Sequence, residues 1–419
     1  MKKEDGRTFG MNLRSQRDLF EIPEDIVYLN CAYMSPQLRP AREAGERAIS
    51  RKSRPWEITP DDFFEDAEEI RALFARLVGG DADGVAIIPS VSYGISVAAA
   101  NVPVEEGEKI VILEDQFPSN VYAWRELAER SGARLITLPR PEDLDWTRAL
   151  LEEIDTGTAV VAVPNCHWTD GSLVDLARVG ESAREAGAAL VVDAIQSLGA
   201  HPFDVSEVRP DFLVASSYKW LLGPYGVGFM YVGEEYREGK PIEHNWINRR
   251  GSQDFSGLVS YQDAFQPGAR RYDVGERSNF ALLPMAAEAL RQLLDWGVEN
   301  VSETIGTLTD LIEEKAGELG IVTIPKERRA RHMIGLMLGP DAPDDLATRL
   351  TAHNVFVSVR GESVRVSPHL YNTPEDIAAI FPETDHGILK FETAANGERR
   401  RARKTPSGTS RRGPSGLSR

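Results

Sequence analysis

The chain contains little cysteine, since Cys31 and Cys166 are the only two among its 419 residues. Neither belongs to a CxxC pair, so the sequence argues against a zinc ribbon or a disulfide-stabilised scaffold and predicts no metal site. No apolar run reaches the roughly 18 residues that a membrane-spanning helix needs. The first ten residues, MKKEDGRTFG, lack the apolar core of a signal peptide. These absences predict a cytoplasmic protein in a reducing compartment, without membrane contact.

Acidic residues outnumber basic residues over the chain as a whole but not at its end. The sequence has 48 Lys and Arg against 65 Asp and Glu, a formal net charge of −17. Residues 396–419 hold eight basic residues and one acidic residue, which leaves −24 for the rest. The acidic body argues against nucleic-acid binding by the folded part. The segment 394–419 has few apolar side chains and is predicted to be a disordered basic tail, either solvated or in contact with an anionic partner such as RNA or lipid.

Between residues 84 and 232, short apolar runs alternate with helical patterns. The runs are continuous and β-branched, as is typical of strands covered on both faces. Alternating strands and helices predict βαβ units, and therefore an α/β fold with a mainly parallel sheet. The predicted strands are Gly84–Ile88, Lys109–Leu113, Arg134–Leu138, Ala159–Val163, Ala189–Asp193, Phe212–Ala215 and Gly226–Val232. The predicted helices are Tyr93–Asn101, Asn120–Arg130 and Ala177–Ala186.

The pattern changes after residue 280. Two amphipathic helices are predicted there and short strands follow them, which indicates a smaller α+β domain. These elements are helices Met285–Trp296 and Glu303–Leu319 and strands near Ile321–Ile324, Met333–Leu338, Val355–Ser358 and Ser363–Ser367. The predicted domains are an N-terminal segment that packs with the small domain (1–60), a large cofactor-binding domain (61–280), the small domain (281–393) and the tail (394–419).

Polar and aromatic side chains follow the predicted strands of the large domain. Parallel α/β sheets bind ligands beyond the carboxyl ends of their strands, so these side chains are expected to face one crevice. The set combines hydroxyls, aromatic rings, a carboxylate and a lysine, which together meet the needs of pyridoxal 5′-phosphate (PLP). Its members are Ser92, Tyr93, Phe117, His167, Trp168, Asp193, Gln196, Ser216, Tyr218 and Lys219.

Each part of PLP has residues that suit it. A buried lysine has a lowered pKa and offers a neutral amine for a Schiff base, and Lys219 follows a buried strand. Asp193 ends another strand, where a carboxylate would keep the pyridine nitrogen protonated, and Phe117 can stack on the ring. The phosphate needs hydrogen-bond donors, which a helix N-terminus and hydroxyl groups supply. The predicted donors are Ser92, Tyr93, Ser216 and Tyr218.

Three segments resemble the class V aminotransferases, a family of fold-type I PLP enzymes that includes cysteine desulfurases, isopenicillin N epimerase and kynureninase. The family's Asp-x-x-Gln strand end is similar to VVDAIQSLGAHPFDV (191–205). Its lysine motif is similar to DFLVASSYKWLLGPYGVGFMYV (211–232), and its C-terminal arginine motif to RVSPHLYNTPEDI (365–377). The resemblance extends from Tyr28 to about Ile380. It implies fold type I, with a large PLP domain, a small α+β domain and a homodimer.

The resemblance also implies roles on the cofactor side. Lys219 would form the Schiff base, Asp193 would pair with the pyridine nitrogen, and Gln196 would contact the ring oxygen. His167 and Trp168 lie where relatives place a residue near the ring. A structural histidine is an equal alternative for His167.

On the substrate side, the resemblance assigns the amino-acid carboxylate to Arg365. A guanidinium fork matches a carboxylate in shape and charge, which supports this assignment. The segment YLNCAYMSP (28–36) resembles the family's N-terminal substrate segment. It adds Asn30 and Ala32 as candidate substrate contacts.

Several positions depart from the relatives. Desulfurases carry a mobile cysteine just before the arginine motif, whereas residues 359–363 contain none, so desulfuration is predicted not to be the reaction. Phe117 stands where desulfurases have a stacking histidine, and Tyr218 replaces the histidine before their lysine. Relatives bring a Gly-Thr pair from the partner subunit to the phosphate. This chain has GERSN there, so Arg277 or Ser278 is the candidate substitute.

The sequence therefore predicts a PLP-dependent enzyme that acts on the amino group or Cα of an amino acid. Lys219 would serve as the general base at Cα. Transamination is the favoured reaction, and epimerisation or elimination by a lyase is the alternative. A different class, an inactive PLP-fold protein that binds a partner, is disfavoured by the retained site residues. A nicotinamide dehydrogenase is disfavoured because Gly223, Gly226 and Gly228 have the wrong spacing for a GxGxxG turn.

Overall fold

The computed structural model describes residues 3–4, 7–8, 12–338, 345–361 and 363–381. Its strands are β1 (Lys3–Glu4), β2 (Arg7–Thr8), β3 (Val27–Tyr28), β4 (Val85–Ile88), β5 (Lys109–Leu113), β6 (Arg134–Leu138), β7 (Thr158–Pro164), β8 (Ala189–Asp193), β9 (Phe212–Ser216), β10 (Gly228–Val232), β11 (Val322–Thr323), β12 (Ile334–Met337), β13 (Val355–Phe356), β14 (Ser358–Arg360) and β15 (Ser363–Val366). Its helices are α1 (Arg39–Lys52), α2 (Glu65–Leu77), α3 (Val91–Asn101), α4 (Tyr122–Ser131), α5 (Trp146–Glu153), α6 (Leu176–Ala186), α7 (Val205–Val208), α8 (Leu282–Trp296), α9 (Val298–Glu318), α10 (Leu346–Ala352) and α11 (Pro374–Ala378). The predicted basic tail lies outside the described residues. Within them, no helix combines the length and the apolar character needed to cross a bilayer.

Seven strands form the central sheet, in the order β4-β10-β9-β8-β7-β5-β6. β10 runs antiparallel to both of its neighbours, and the other pairs are parallel. Every residue of β4, β5, β7, β8 and β9 is buried. Alternate residues of β4 enter two separate apolar clusters, Val85 and Ile87 on one face and Ala86 and Ile88 on the other. The predicted α/β fold with a mainly parallel sheet is therefore confirmed.

The strand predictions for the central sheet are close to the structure. β5, β6 and β8 begin and end at the predicted residues. The sequence predicts the last strand from Gly226, but β10 begins at Gly228 because Gly226 has a φ of +88°, which an extended strand cannot contain. Helices α1, α2 and α5 have no counterpart among the sequence predictions.

The N-terminal segment contacts the C-terminal part of the chain. β3 pairs in parallel with β13. Helix α1 packs against α8 so closely that a Cβ on Gly45 would lie 2.6 Å from Met285 Sδ. The residues predicted as one strand, Val355–Ser358, divide between two strands with different partners, since β14 belongs to the antiparallel sheet β11-β12-β15-β14. The domain boundaries at residues 60, 280 and 393 stay predictions.

Candidate active site

Lys219 lies in the loop that joins β9 to β10, where the chain reverses direction. Ser217 shapes this loop, because its hydroxyl donates to the carbonyls of Pro224 (2.5 Å) and Val227 (2.9 Å). The Gly223 N–H donates a hydrogen bond to the Ser217 carbonyl at 2.8 Å. The loop thereby keeps the lysine side chain inside the protein, only 6% exposed.

The Lys219 amine lies in a setting that favours its neutral form. Burial lowers its pKa, the cations Arg365 and Arg360 lower it further, and Asp193 opposes them. Asp193 ends β8, its Oδ1 accepts the Ile195 N–H at 3.1 Å, and burial raises the pKa of its carboxyl group. The amine makes no hydrogen bond or ion pair with any residue that the structure describes. Buried groups with shifted pKa values in such a setting mark candidate functional sites.

Two of the predicted aromatic residues lie beside the amine, and a third contacts one of them. The ring centroids of Phe117 and Tyr218 lie 5.6 Å and 5.7 Å from Lys219 Nζ. Trp168 meets Phe117 edge to face, with ring centroids 5.4 Å apart. Phe117 is still 39% exposed. Part of its ring surface is therefore available to a flat ligand.

The predicted phosphate donors lie at the start of α3 and at the end of β9. Gly228 pairs with the last residue of β4 and with Ser216 on β9, which brings the two strand ends into one row. Ser90, which no sequence motif singled out as the cap, accepts the Tyr93 N–H at 3.2 Å and lies 2.9 Å from the Ser92 hydroxyl. The Tyr93 N–H is thus already used. The Ser92 hydroxyl and the other N–H groups of the first helical turn are the donors suited to an anion.

Gln196 links the site to the N-terminal segment. Its Nε2 donates to the Ala32 carbonyl at 3.1 Å, and its Oε1 accepts the Trp220 indole N–H at 3.0 Å. His332 Nε2 lies 2.6 Å from the Gln196 carbonyl oxygen. A side-chain amide has two N–H groups, so one of them remains for the ring-oxygen contact that the resemblance predicts.

Arg365 lies on β15 with its side chain buried. Its Nη1 donates to the Trp168 carbonyl at 2.6 Å, and burial lowers its pKa to about 9. The Asn30 Oδ1 accepts the Ser358 hydroxyl at 2.8 Å, which joins the N-terminal segment to β14 beside Arg365. The structure therefore brings Arg365, Asn30 and Ala32 to one end of the site.

His167 is fully buried among other side chains. Its ring stacks on Trp146, with centroids 5.6 Å apart and planes 14° apart. Its Nδ1 lies 2.7 Å from Thr169 Oγ1, and its Nε2 lies 3.1 Å from the Glu114 carbonyl oxygen. Burial lowers the pKa of the imidazole. With both nitrogens engaged, a structural role suits His167 better than a contact to a cofactor, and the next residue, Trp168, is the one that lines the site.

Arg277 and Ser278 both have partners within the chain. Arg277 Nη1 lies 2.5 Å from Asp273 Oδ2, which also accepts from Arg71 Nη2 at 2.8 Å. The Ser278 hydroxyl donates to the Phe63 carbonyl. Nε and Nη2 of Arg277 have no hydrogen-bond partner in the part of the chain that is described. The phosphate contact that the sequence predicts for Arg277 would have to use these two donors.

Two residues near the amine were missed by sequence reasoning. Cys31 is buried within electrostatic reach of Lys219, and burial raises the pKa of its thiol. Arg360 places its Cζ 5.7 Å from the Trp168 ring centroid. Cys31 lies in the predicted N-terminal substrate segment, and Arg360 lies in the segment that was noted only for its lack of a cysteine. The sequence does carry one signal for Arg360. Arg360 precedes Arg365 by five residues, a spacing at which a hairpin can place both side chains on the same face.

A family comparison decides the classification. The model of the family described as aminotransferase class-V matches residues 59–380, more than half of the chain. The chain belongs to the aminotransferase class-V family. This confirms the family that the lysine, aspartate and arginine motifs predict.

Curated relatives of this class V chain carry differing names. The uncharacterized aminotransferase YcbU of Bacillus subtilis is 28% identical over 320 residues, which cover 76% of this chain and 83% of the relative. The probable cysteine desulfurase of Pyrococcus abyssi is 25% identical over 341 residues, which cover 77% of this chain and 82% of the relative. Isopenicillin N epimerase of Streptomyces clavuligerus is 25% identical over 334 residues, which cover 76% of this chain and 83% of the relative. Class V membership thus leaves the reaction open, and the prediction that the chain is not a desulfurase is not confirmed.

One solved structure shares its fold with this class V chain. A lysine mutant of C-DES, with glycine covalently linked to its PLP cofactor, matches with a TM-score of 0.78. The match covers 86% of this chain and 97% of the C-DES chain at 17% sequence identity. Because the identity is so low, the likeness shows the fold alone. The expected fold type I, with a mainly parallel sheet, is confirmed.

Proposed function

We propose that this class V chain is a PLP-dependent enzyme that acts on the amino group or Cα of an amino acid, with transamination as its reaction. The observation that carries the proposal is the buried Lys219 amine, whose pKa is lowered and whose Nζ lies 5.6 Å from the Phe117 ring centroid. Burying an amine without a partner opposes folding. A function that needs a neutral amine explains why the lysine is there.

The cofactor is PLP, as the class V family and the PLP-linked C-DES neighbour indicate. The residues present fit it. Lys219 offers an amine, Phe117 a partly exposed aromatic ring, Asp193 a buried carboxylate, and the start of α3 a set of N–H donors. When bound, PLP supplies an aldehyde carbon that reacts with amines and a ring that accepts electron density from the substrate Cα.

The residues around the amine have separate roles at the substrate. Lys219 Nζ takes the proton from Cα, and its lowered pKa provides the neutral base at moderate pH. Asp193 stabilises positive charge at the pyridine nitrogen. Arg365 binds the α-carboxylate, and its hydrogen bond to the Trp168 carbonyl fixes the guanidinium relative to the aromatic residues. Because Arg365 fixes the α-carboxylate and Lys219 is the base, the positions of these two residues determine which Cα bond of the substrate faces the Lys219 amine.

Other reactions are possible with the same base and the same carboxylate site. Epimerisation would return the proton to Cα, and a lyase would expel a β-substituent. Desulfuration needs a cysteine before the arginine motif, and residues 359–363 contain none, so we place it last. An inactive partner-binding protein would have no reason to keep Lys219 buried and without an ion pair among the residues described.

A visible absorption band tests the lysine. The protein loaded with PLP is expected to show a band that borohydride removes, and Lys219→Ala is expected to lose it. Lys240→Ala serves as a matched control, because Lys240 is exposed, and should keep the band. A borohydride-sensitive band that survives in Lys219→Ala would overturn the assignment.

A panel of amino acids, each with and without a keto-acid acceptor, tests the reaction. A transaminase is expected to turn over only when the acceptor is present. Turnover without an acceptor would contradict transamination. Loss of optical purity would then identify epimerisation, and release of a β-substituent would identify a lyase.

We also propose that the chain forms a homodimer in the cytoplasm. Large apolar side chains are exposed in the segment between β10 and α8, with Val259 84% and Tyr261 94% exposed. Exposed apolar patches of this kind often mark interfaces. Sedimentation equilibrium is expected to give twice the chain mass of 46.4 kDa. A monomer at micromolar concentration would contradict the proposal.

A further inference from the structure

The β14–β15 hairpin places two arginines on one face. Arg365 is paired with Ser358, and Arg360 is paired with Ser363. Directly opposed residues of an antiparallel pair share a face, and so do residues two apart on one strand. Arg360 therefore lies on the same face as Arg365, at the substrate end of the site.

Trp168 contacts both arginines. Arg365 Nη1 donates to its carbonyl at 2.6 Å, and Arg360 Cζ lies 5.7 Å from its ring centroid. The indole is itself fixed, since its N–H donates to the Asp115 carbonyl at 2.6 Å and its ring meets Phe117 edge to face. One indole ring thus stands between Phe117, where the cofactor ring is expected to stack, and Arg360.

Neither arginine forms an ion pair with a carboxylate in the described parts of the chain. Asp170, two residues after Trp168, is already paired with Arg140. The two guanidinium groups repel each other, and the proximity of Arg360 contributes to the lowered pKa of Arg365. An anion bound between them would remove this repulsion.

We propose that Arg360 binds a second anionic group of the substrate, so that the chain acts on amino acids whose side chain carries a carboxylate or a similar anion. The inference rests on the proposed function, in which Arg365 takes the α-carboxylate. One guanidinium fork is sufficient for one carboxylate, because it can bind both oxygens. Arg360 is a second, half-buried fork on the same face of the hairpin. With a neutral side chain in the site, the Arg360 guanidinium would have no carboxylate partner among the residues that the structure describes.

Binding selectivity of the PLP-loaded protein tests the second guanidinium. Dissociation constants for aspartate and glutamate are compared with those for asparagine and glutamine, by calorimetry and by the change in the visible band. At least one acidic amino acid is expected to bind roughly tenfold more tightly than its amide. Arg360→Gln is expected to remove that preference and to leave binding of the amides unchanged. Arg349→Gln, at an exposed arginine on α10, is the matched control and should keep the preference.

Succinate gives a readout that does not depend on turnover, because it carries two carboxylates and no amine. Arg360→Gln is expected to weaken succinate binding roughly tenfold. Equal weakening of acidic and neutral amino acids in Arg360→Gln would overturn the proposal, since Arg360 would then serve the α-carboxylate. An unmodified protein without any acidic preference would overturn it as well. Absence of the visible band would instead count against the proposed function, so the two failures are distinguishable.

Discussion

The Arg365 guanidinium donates from Nη1 to the Trp168 carbonyl at 2.6 Å and so ties β15 to the loop that follows β7. Arg365→Lys is expected to raise KM for every amino-acid substrate roughly tenfold or more, because an ammonium cannot make this bond and a forked carboxylate contact together. The visible band should remain, since Arg365 is assigned to the substrate and not to PLP. Steady-state kinetics on protein of matched band intensity measure the effect. Loss of the band in Arg365→Lys would contradict the separation of the two sites.

Asp193 is a carboxylate that raises the pKa of Lys219, in opposition to burial and two arginines. Asp193→Asn is therefore expected to lower that pKa further, because it removes the negative charge that favours the ammonium form. It is also expected to lower kcat roughly a hundredfold or more, since the pyridine nitrogen loses its charged partner. The rate of lysine modification against pH in the cofactor-free protein reports the pKa. An unchanged pKa would mean that the two groups do not interact. Asp254→Asn, at the surface, is the control.

Phe117 is partly exposed beside the lysine. A role in stacking on PLP can therefore be distinguished from a role in the apolar core. Phe117→Ala is expected to weaken PLP binding roughly tenfold, because a stacked ring is lost. The free energy of unfolding of the cofactor-free protein should change little, since the ring is far from fully buried. Equilibrium dialysis and urea denaturation measure the two quantities, and Phe117→Tyr should preserve both. A large loss of stability without a loss of PLP affinity would identify Phe117 as a core residue.

The central sheet and the cofactor side of the site are the parts most readable from the sequence. β5 and β8 each consist of a continuous apolar run with one charged residue at an end of the strand, Lys109 in β5 and Asp193 in β8, so the sequence pattern indicates where they lie. In a parallel sheet the strand ends fix where the next residues lie, which is why the strand pattern alone places Asp193 and Lys219 at one edge of the sheet. Helix α2 carries the same kind of signal in its buried Ile70, Phe74 and Leu77 at helical spacing, yet it is missing from the predictions.

The substrate side depends on long-range pairing that composition does not contain. Arg360 reaches Trp168 only because β14 and β15 form a hairpin with one particular register. The position of the cap of α3 at Ser90 depends on backbone angles, φ −161° and ψ 158° at Ser90. His167 and Trp168 are neighbours in sequence, but one faces the core and the other lines the site. Such distinctions follow from packing rather than from residue type.

Asp273 joins two buried arginines next to the large sheet. Its carboxylate accepts from Arg71 Nη2 at 2.8 Å, from Arg277 Nη1 at 2.5 Å and from the Ile87 N–H at 2.7 Å. Asp273→Asn would leave the buried Arg277 guanidinium without its ion-pair partner and would leave Arg71 with only the partly exposed Glu68. The free energy of unfolding is therefore expected to fall by about 3–5 kcal/mol. Urea denaturation measures it. Glu46→Gln, which breaks an exposed ion pair, is the control and should change little. A similar small effect in both variants would contradict the expectation.

His369 is a buried imidazole that resists protonation. Neither of its ring nitrogens has a hydrogen-bond partner among the residues that the structure describes, and it packs near the rings of Trp220, Trp296 and Tyr371. Burial lowers its pKa to about 3, far below the roughly 6.5 of an unfolded chain. Between these values the unfolded state binds a proton that the folded state does not. The stability that His369 contributes is therefore complete above about pH 6.5 and is lost as the pH falls through this window.

His369→Phe is expected to make the protein less sensitive to acid. Between pH 7 and pH 5 the histidine alone should remove about 2 kcal/mol from the free energy of unfolding, and the variant should be spared that loss. Denaturant titrations at pH 7, 6 and 5 measure the difference. His353→Phe is the matched control, because the side chain of His353 is exposed and stays hydrated on folding. A pH dependence that is the same in His369→Phe as in the unmodified protein would show that the buried ring does not resist protonation in the folded state.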